Sequence, residues 1–337
     1  MSGKTQKRTG TQTDEWTVPE IMKAAALEKF GGPEVLSTHK LPVPALDPGE
    51  VMIALHTAGV GVWDADMRAG WLPGGAPKFP LVLGTDGAGK VVAMGSHIRR
   101  FKIGDPVYSY SFENPTGKGG FYAEYVAVDA EKVAPVPRGL DLIEAGAIPT
   151  TGLTAIQGID NALELKRDEA LIIHGASGGV GTLAVQFAKL RGCRVLATAS
   201  GEDGVNLVLG LGADMAIDGR NDDIKAIAQA FAPEGIAAVL GFSGGERFDE
   251  CVDTLRPGGR VAYPNGVEPE PKKRPGIRVI PYDAVSGPAE FTQLTMAVEA
   301  AKLKVQIAAT FPLGDAANAH RRLEQGHVLG KIVLRIE

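Results

Sequence analysis

Apolar residues between Val51 and Pro137 come in short runs broken by glycine and proline: VMIALHTAGV, PLVLGTDGAGKVVAMG, DPVYSYSF, FYAEYVAV and KVAPVP. Runs of that length between turn-forming residues predict strands, and their density predicts a barrel-like, β-rich domain. The segment MKAAALEKFGGPEVL adds two earlier strands around a Gly-Gly-Pro turn. The rhythm then changes. Ala145–Ala162 has helical spacing, and from Leu171 strands and helices alternate. Strands are expected at Leu171–His174, Arg194–Ala199, Met215–Ile217, Ala237–Phe242 and Gly259–Tyr263. Helices are expected at Val180–Leu190, up to Leu211, over Asp222–Phe231 and over Arg247–Leu255. Such alternation predicts a doubly wound parallel sheet. Two more helices, Ala289–Leu303 and Ala316–Glu324, and a last strand, Lys331–Ile336, contain no further βαβ unit and are expected to return to the first domain.

The turn after Leu171–His174 carries the chemistry. It reads Gly175-x-x-Gly178-x-x-Gly181, or the dinucleotide fingerprint G-x-G-x-x-G with Ala176 at its first glycine. Small residues at Ala176 and Gly178 keep side chains out of a tight turn and away from a pyrophosphate, and Gly181 lets helix and strand pack closely. The helix that follows turns its free amides and its partial positive charge toward phosphates. A tight turn in any α/β protein would look similar, but strand, turn, helix and second strand all fall in register within about thirty residues, as the fingerprint requires.

Composition narrows the partners. With 337 residues, the chain is long enough for two domains. A net charge of −5 and no basic stripe give no reason to expect nucleic acid or an anionic membrane. No apolar run approaches the ~18 residues a membrane helix needs. Cys193 and Cys251 are the only cysteines, which fits a reducing, cytoplasmic setting and excludes a disulfide framework or a cysteine-rich zinc module. Residues 1–21 are polar and lack the apolar core of a secretory signal, so they read as a disordered tail or an extension. Acidic Asp14, Glu15 and Glu20 offset Lys4, Lys7 and Arg8, against a transit peptide.

Five stretches occur in one order: KFGGPEVL (Lys29–Leu36), GAGKVVAMG (Gly87–Gly95), FKIGDPVY (Phe101–Tyr108), HGASGGVG (His174–Gly181) and LGKIVL (Leu329–Leu334). On these the chain resembles the medium-chain dehydrogenase/reductase superfamily, and within it the zinc-independent, ζ-crystallin-like quinone oxidoreductases. The resemblance implies an α/β protein with a GroES-like β-rich catalytic domain (22–147), a Rossmann nucleotide-binding domain (148–284) and a C-terminal segment returning to the catalytic domain (285–337). It implies a nicotinamide cofactor in the cleft between them, and a homodimer joined through the Rossmann sheet edge at Gly259–Tyr263.

Metal can be tested by position. The catalytic-zinc cysteine and histidine of related alcohol dehydrogenases fall at Gly61 and Thr85 here, with Asp86 at the acidic position. Glycine has no ligand atom and threonine is a poor one for zinc, so no metal is expected. Asp64, Asp66, Asp86 and His56 read as solvated or turn-forming residues. A protein without a Lewis acid needs a substrate that carries its own electron sink, which quinones and α,β-unsaturated carbonyls do. The resemblance therefore implies an NAD(P)H-dependent reductase of a quinone or an activated alkene such as an enone or enal. The alternatives are a metal-free carbonyl reductase or alcohol dehydrogenase, and a cofactor-binding structural or nucleic-acid-binding relative with little turnover.

Cofactor choice turns on the end of the second Rossmann strand, where an acidic residue would select NAD. Ser200 and Gly201 stand there, as in NADPH-using relatives. The family's usual lysine and tyrosine align with Gly204 and Gly219, leaving Arg220 as phosphate partner or solvated loop residue. NADPH is the expected cofactor, with NADH the alternative. By resemblance Gly178, Gly179, Val180 and Gly181 hold the pyrophosphate, Thr154 lies by the nicotinamide carboxamide, and Ser243 and Gly244 lie on the adenosine side. Tyr263 and Asn265 lie by the nicotinamide and Lys331 lies at the cleft; helix bonding for Thr154, core packing for Tyr263 and solvation for Lys331 are the alternatives. In the substrate pocket the family's Asn and Tyr are Gly61 and Asp66, while Asp64 and Arg68 are kept. No catalytic residue is assigned, and the candidates are Thr154 and Asp64, the latter a scaffold residue or a general acid; Trp71, Tyr108 and Tyr110 line an apolar pocket or pack the core. Ser111–Tyr122 is expected to be a loop over the cleft.

Overall fold

The computed structural model describes residues 17–72, 76–112 and 119–336. Residues 1–16 of the polar opening and 113–118 of the Ser111–Tyr122 segment lie outside the described residues. The first half holds β1 (Ile21–Leu27), β2 (Ser37–Pro42), β3 (Glu50–Val60), α1 (Val62–Ala69), β4 (Leu81–Val82), β5 (Asp86–Met94), β6 (Pro106–Tyr110), β7 (Tyr125–Asp129) and β8 (Val133–Pro135). β1 pairs antiparallel with both β2 and β4.

The expected helical stretch at 145–162 is divided into α2 (Leu142–Ala147), α3 (Pro149–Gln157) and a π turn (Gly158–Ala162). Asp141 starts α2 by accepting N–H bonds from Ile143 and Glu144, each at 2.8 Å. Pro149 sits in the first turn of α3, where its missing N–H breaks no helical bond, so one helix stops and another starts there.

The Rossmann half runs β9 (Ala170–His174), α4 (Gly179–Leu190), β10 (Arg194–Ala199), α5 (Gly201–Gly210), β11 (Met215–Asp218), α6 (Ile224–Phe231), β12 (Ile236–Gly241), α7 (Glu246–Val252), β13 (Leu255–Pro264) and β14 (Arg278–Tyr282). Its six strands lie in the order β11-β10-β9-β12-β13-β14, all parallel. The order reverses between β9 and β12, and that switch point opens a crevice at the strands' carboxyl ends. One expectation is overturned: Gly259–Tyr263 is not the sheet edge. β14 pairs with it from Arg260↔Arg278 to Pro264↔Tyr282. β14 is short, holds Pro281 and follows no helix, so neither period nor alternation marks it; a proline is tolerated on an outermost strand.

The chain ends with α8 (Pro288–Ala301), β15 (Ile307–Pro312), α9 (Ala316–Glu324) and β16 (Lys331–Arg335). β16 pairs antiparallel with β3, from Ile332↔Val60 to Arg335↔Thr57, and β15 lies parallel beside it. The second large sheet thus runs β15-β16-β3-β5-β6-β8, with β7 on β3. Strand alternation gives β16 two jobs. Ile332 and Leu334 pack into the barrel core with Val51, Ile53 and Phe121, while Val333 faces the core around α3 and α4. Leu334→Ala, at a fully buried position, is expected to lower unfolding free energy by about 2–5 kcal/mol in urea titrations.

Candidate active site

A cleft of about 550 Å³ lies at the carboxyl end of the parallel sheet, between the two halves. Its wall is the β9–α4 turn. Gly175 has φ +77°, and Gly181 is locked against it: a Cβ there would stand 2.3 Å from Gly175 O and 2.6 Å from Ala176 Cα. Gly178 and Gly179 differ. A Cβ on Gly178 would meet only Gly175 O at 3.5 Å, and one on Gly179 would meet Gly330 O at 3.4 Å and Lys331 Cδ at 3.5 Å. Side chains there would fill the cleft rather than clash with protein. The first residues of α4, Gly179, Val180 and Gly181, line this wall, so amides with no helical partner open toward any ligand in the cleft. A dinucleotide pyrophosphate fits this cradle.

Gly178–Gly181, Ser200, Arg220, Ser243, Gly244, Lys331 and Gly61 all line the one cleft. Others stand elsewhere. Thr154 Oγ1 donates to Thr150 O at 2.8 Å, inside its own helix, and Thr151, one turn earlier, reaches the cleft instead. Tyr263 is buried edge-on to Phe248 at 6.2 Å in the core between sheet and helices. Asn265 is exposed and donates to Asp283 Oδ2 at 2.8 Å. Asp66 and Trp71 are on the surface, Trp71 beside Phe112 at 6.4 Å. Gly201, with φ +72°, opens α5 just behind Ser200. Tyr108 is core, edge-on to Phe291 at 5.0 Å. Tyr110 is half-buried near Asp86 and Asp64, and burial followed by those charges raises its hydroxyl pKa.

The cleft also gathers residues that sequence reasoning missed: Trp63, His174, Ser177, Arg247 and His327. His174 and Ser177 flank the glycines and could have been read from adjacency. His174 Nδ1 lies 2.8 Å from Thr198 Oγ1, and burial, then Arg247, holds its pKa down at about 4. Arg247 donates to Gly219 O at 2.6 Å and to Asp222 O, fastening the loop that carries Arg220.

On the opposite wall, α1 begins at Gly61. Asp64 Oδ2 accepts Gly61 N–H at 2.8 Å and Oδ1 accepts Gly84 N–H at 3.2 Å, so this carboxyl ties the helix start to the β4–β5 turn. Loss of solvent raises it to about 7, opposed first by Lys331 and then by the Gly61 bond. Arg68 braces the far end of α1, donating to Gly31 O at 3.0 Å and to His320 at 2.9 Å and pairing with Glu324.

The zinc positions are filled in a particular way. The Trp63 indole lies across Gly61, where a Cβ would stand 2.3 Å from its ring. Its Nε1 donates to Thr85 Oγ1 at 2.7 Å, and Asp86 Oδ2 accepts Thr150 N–H at 3.0 Å. Lys331 Nζ lies 4.6 Å from the indole centroid, buried and without a hydrogen-bond partner among the described residues. An indole and an ammonium thus stand beside Gly61 and Thr85, the two positions at which the resemblance places zinc ligands in related dehydrogenases. No group of three or more potential ligands occurs among the described residues, and these side chains do not fit a zinc ion.

With the geometry in view, the comparisons fall into place. Residues 47–138 match the alcohol dehydrogenase GroES-like domain family and residues 211–334 the zinc-binding dehydrogenase family. The chain belongs to the medium-chain dehydrogenase/reductase superfamily. It is 32% identical over 331 residues to the quinone oxidoreductase of Sus scrofa, covering 94% of this chain and 99% of that protein. Within the superfamily it is therefore one of the quinone oxidoreductase-type proteins. It is also 31% identical over 332 residues to the chloroplastic NADPH-dependent alkenal/one oxidoreductase of Arabidopsis thaliana, covering 96% of this chain and 81% of that one. Among solved structures it is similar to an NAD-dependent alcohol dehydrogenase, with a TM-score of 0.86, 31% identity, and coverage of 94% and 100% of the two chains.

Two predictions follow from the Gly61 wall. Gly61→Ala is expected to destabilise by about 1–3 kcal/mol through overpacking against Trp63. Combined with Trp63→Ala it should cost far less, and a double-mutant cycle by urea unfolding reads the coupling. Asp64 carries the second. Between its unfolded pKa near 3.8 and its folded value of about 7, the native chain holds a proton that the unfolded chain has lost. Stability therefore falls as pH rises through that window, by up to ~1.4 kcal/mol per pH unit. Unfolding of Asp64→Asn between pH 4 and 8 should lack this component, so the variant gains on the wild type as pH rises.

Proposed function

We propose that this chain is a zinc-independent oxidoreductase that reduces a quinone or an activated alkene, an enone or enal, with NADPH. The observation that carries the proposal is the wall made by Gly61, Trp63, Thr85 and Lys331, in which an indole covers Gly61 and bonds Thr85 and an ammonium lies on the indole. Trp63 and Thr85 offer no Lewis acid and Lys331 supplies a positive charge alone, so an acceptor that delocalises charge itself suits this wall best. The names of the pig and Arabidopsis relatives, a quinone oxidoreductase and an NADPH-dependent alkenal/one oxidoreductase, support both acceptor classes. Ser200 at the end of β10, in place of an acidic residue, supports NADPH.

A bound reduced nicotinamide supplies the hydride. The residues of the chain bind, orient and exclude water. Gly178 and Gly179 admit the pyrophosphate against the α4 amides. Lys331, running beside Gly179, brings positive charge to the junction of cofactor and substrate. Trp63 gives the acceptor a flat apolar surface, while Asp64, consumed by two backbone N–H bonds, serves as scaffold rather than acid. We further propose a cytoplasmic homodimer, with β14 in the role first given to β13, because β14 ends the sheet path. No helix among the described residues is long and apolar enough to cross a membrane.

The test is loss of reduced-nicotinamide absorbance with a benzoquinone, a phenanthrenequinone, an enone, an enal and a saturated aldehyde, with and without chelator. Chelator-insensitive turnover of quinones or activated alkenes, with the aldehyde inert, is expected. Chelator-sensitive turnover of the aldehyde overturns the proposal; tight NADPH binding with no turnover replaces it with a binding role.

A further inference from the structure

The adenosine end of the cleft holds a side-chain chain assembled from both halves of the protein. Ser200, directly after β10, has its Oγ 3.1 Å from His327 Nδ1. His327 Nε2 lies 2.9 Å from Asp203 Oδ2 in the first turn of α5. His327 belongs to the loop between α9 and β16 and has φ +49°, a left-handed conformation that histidine, like asparagine and aspartate, adopts more readily than most residues. Arg322 of α9 holds that loop by donating to Gly326 O at 2.9 Å and His327 O at 3.1 Å. The imidazole is thus fixed against the strand end that meets the adenosine ribose in this fold.

The charges around it come from every neighbouring element. Glu202 and Asp203 belong to α5, Asp218 and Arg220 to the end of β11 and its loop, Arg247 to α7, Arg322 to α9 and Lys331 to β16. Most are engaged within the protein. Asp218 accepts from Arg220 N–H and Asn221 Nδ2, Arg247 from α7 holds the β11 loop, and Arg322 holds carbonyls. Arg220 and His327 line the same rim of the cleft. Histidine is the side chain whose ordinary titration falls between pH 5 and 8; the other histidine of the cleft, His174, is held neutral by its burial.

We propose that His327 and Arg220 form a proton-controlled subsite for the 2′-phosphate of the dinucleotide, so that discrimination between NADPH and NADH is set by the protonation of His327. The proposal rests on the dinucleotide reading of the cleft. A 2′-phosphate brings about −1.5 to −2 charge at neutral pH. Facing a neutral imidazole it meets Asp203 and Glu202, with Arg220 beside it and Arg247 engaged on the carbonyls of Gly219 and Asp222. Facing an imidazolium it meets two cations, and Asp203 is offset by the histidine it already bonds. An imidazolium that keeps Nε2–H on Asp203 turns its Nδ1–H from Ser200 Oγ to the phosphate; charge-assisted bonds of this type are the strong kind, while NADH carries no group for this subsite. Binding of NADPH therefore draws a proton onto His327, and binding of NADH does not.

The experiment measures dissociation constants of NADPH and NADH by calorimetry between pH 5.5 and 8.5, for the wild type, His327→Gln and Arg220→Gln. Circular dichroism checks that each variant is folded. In the wild type the preference for NADPH over NADH is expected to fall by about tenfold or more as pH rises, the worth of one charge-assisted bond. In His327→Gln the ratio is expected to stay flat or rise as the phosphate ionises. Arg220→Gln should weaken NADPH at every pH and keep the wild-type trend. Calorimetry in two buffers of different ionisation heat, at pH 7.5, should show proton uptake with NADPH alone, lost in His327→Gln. The same pH trend in wild type and His327→Gln, or no proton uptake, overturns the inference. A falling ratio abolished by His327→Gln, with NADH the tighter ligand throughout, supports it while overturning the choice of NADPH. NADPH preferred with a flat wild-type ratio does the reverse, and no binding of either nucleotide overturns both.

Discussion

One backbone contact sets the geometry of the cleft: the hydrogen bond from Gly330 N–H to Ser177 O, 2.9 Å long, with Gly178 and Gly330 paired as a parallel bridge. It joins the glycine turn of the Rossmann half to the strand that completes the barrel sheet. Gly330 has φ +105°, and a Cβ there would stand 2.2 Å from Gln306 O, so only glycine holds this bend against the segment that leads into β15. From this point the chain runs one way into Lys331 and the cleft floor, and the other way into His327 and the adenosine rim. Phosphate cradle, floor and rim are therefore placed by a single junction, and β16 anchors it with apolar side chains in both cores.

Most of the fold was legible because the signals were local. β9, α4 and β10 follow from one apolar run, one glycine turn and one helical period, and α9 matches its expected span residue for residue. The second strand expected within MKAAALEKFGGPEVL is a 3-10 turn at Pro33–Val35, and β2 starts only at Ser37; β14 and β15 also escaped, and they lack those signals. RVIPY contains a proline, and IAATFP is only partly buried on either face, so neither shows alternation or a continuous apolar run. Missing β14 also misplaced the sheet edge, because an edge is a property of pairing rather than of any one segment.

The site was half legible for a related reason. Residues on one turn, Gly178 to Gly181, could be read from their spacing. Residues brought from distant segments could not. Thr154 and Thr151 differ by three positions on one helix, and both hydroxyls bond back four residues, to Thr150 O and Ala147 O; the face of α3 decides which of them meets the cleft. His327 gives no sequence signal, since its meaning comes from Ser200 and Asp203, more than a hundred residues away. Trp63 is the most instructive case. The loss of a ligand atom at Gly61 was visible in the sequence, but not that a residue two places on would fill the space and bind Thr85.

That filling has a consequence for how such a site can change over generations. An indole lying 2.3 Å from where a side chain at Gly61 would begin makes the order of substitutions matter. A ligand atom introduced at 61 while Trp63 remains meets a wall, so the indole must be lost first, and that step also uncovers the Lys331 ammonium and strips Thr85 of its donor. The intermediate carries neither metal nor platform. A ligand atom at 61 is therefore coupled to a change at 63, and Trp63 is the residue that makes the two substitutions depend on each other.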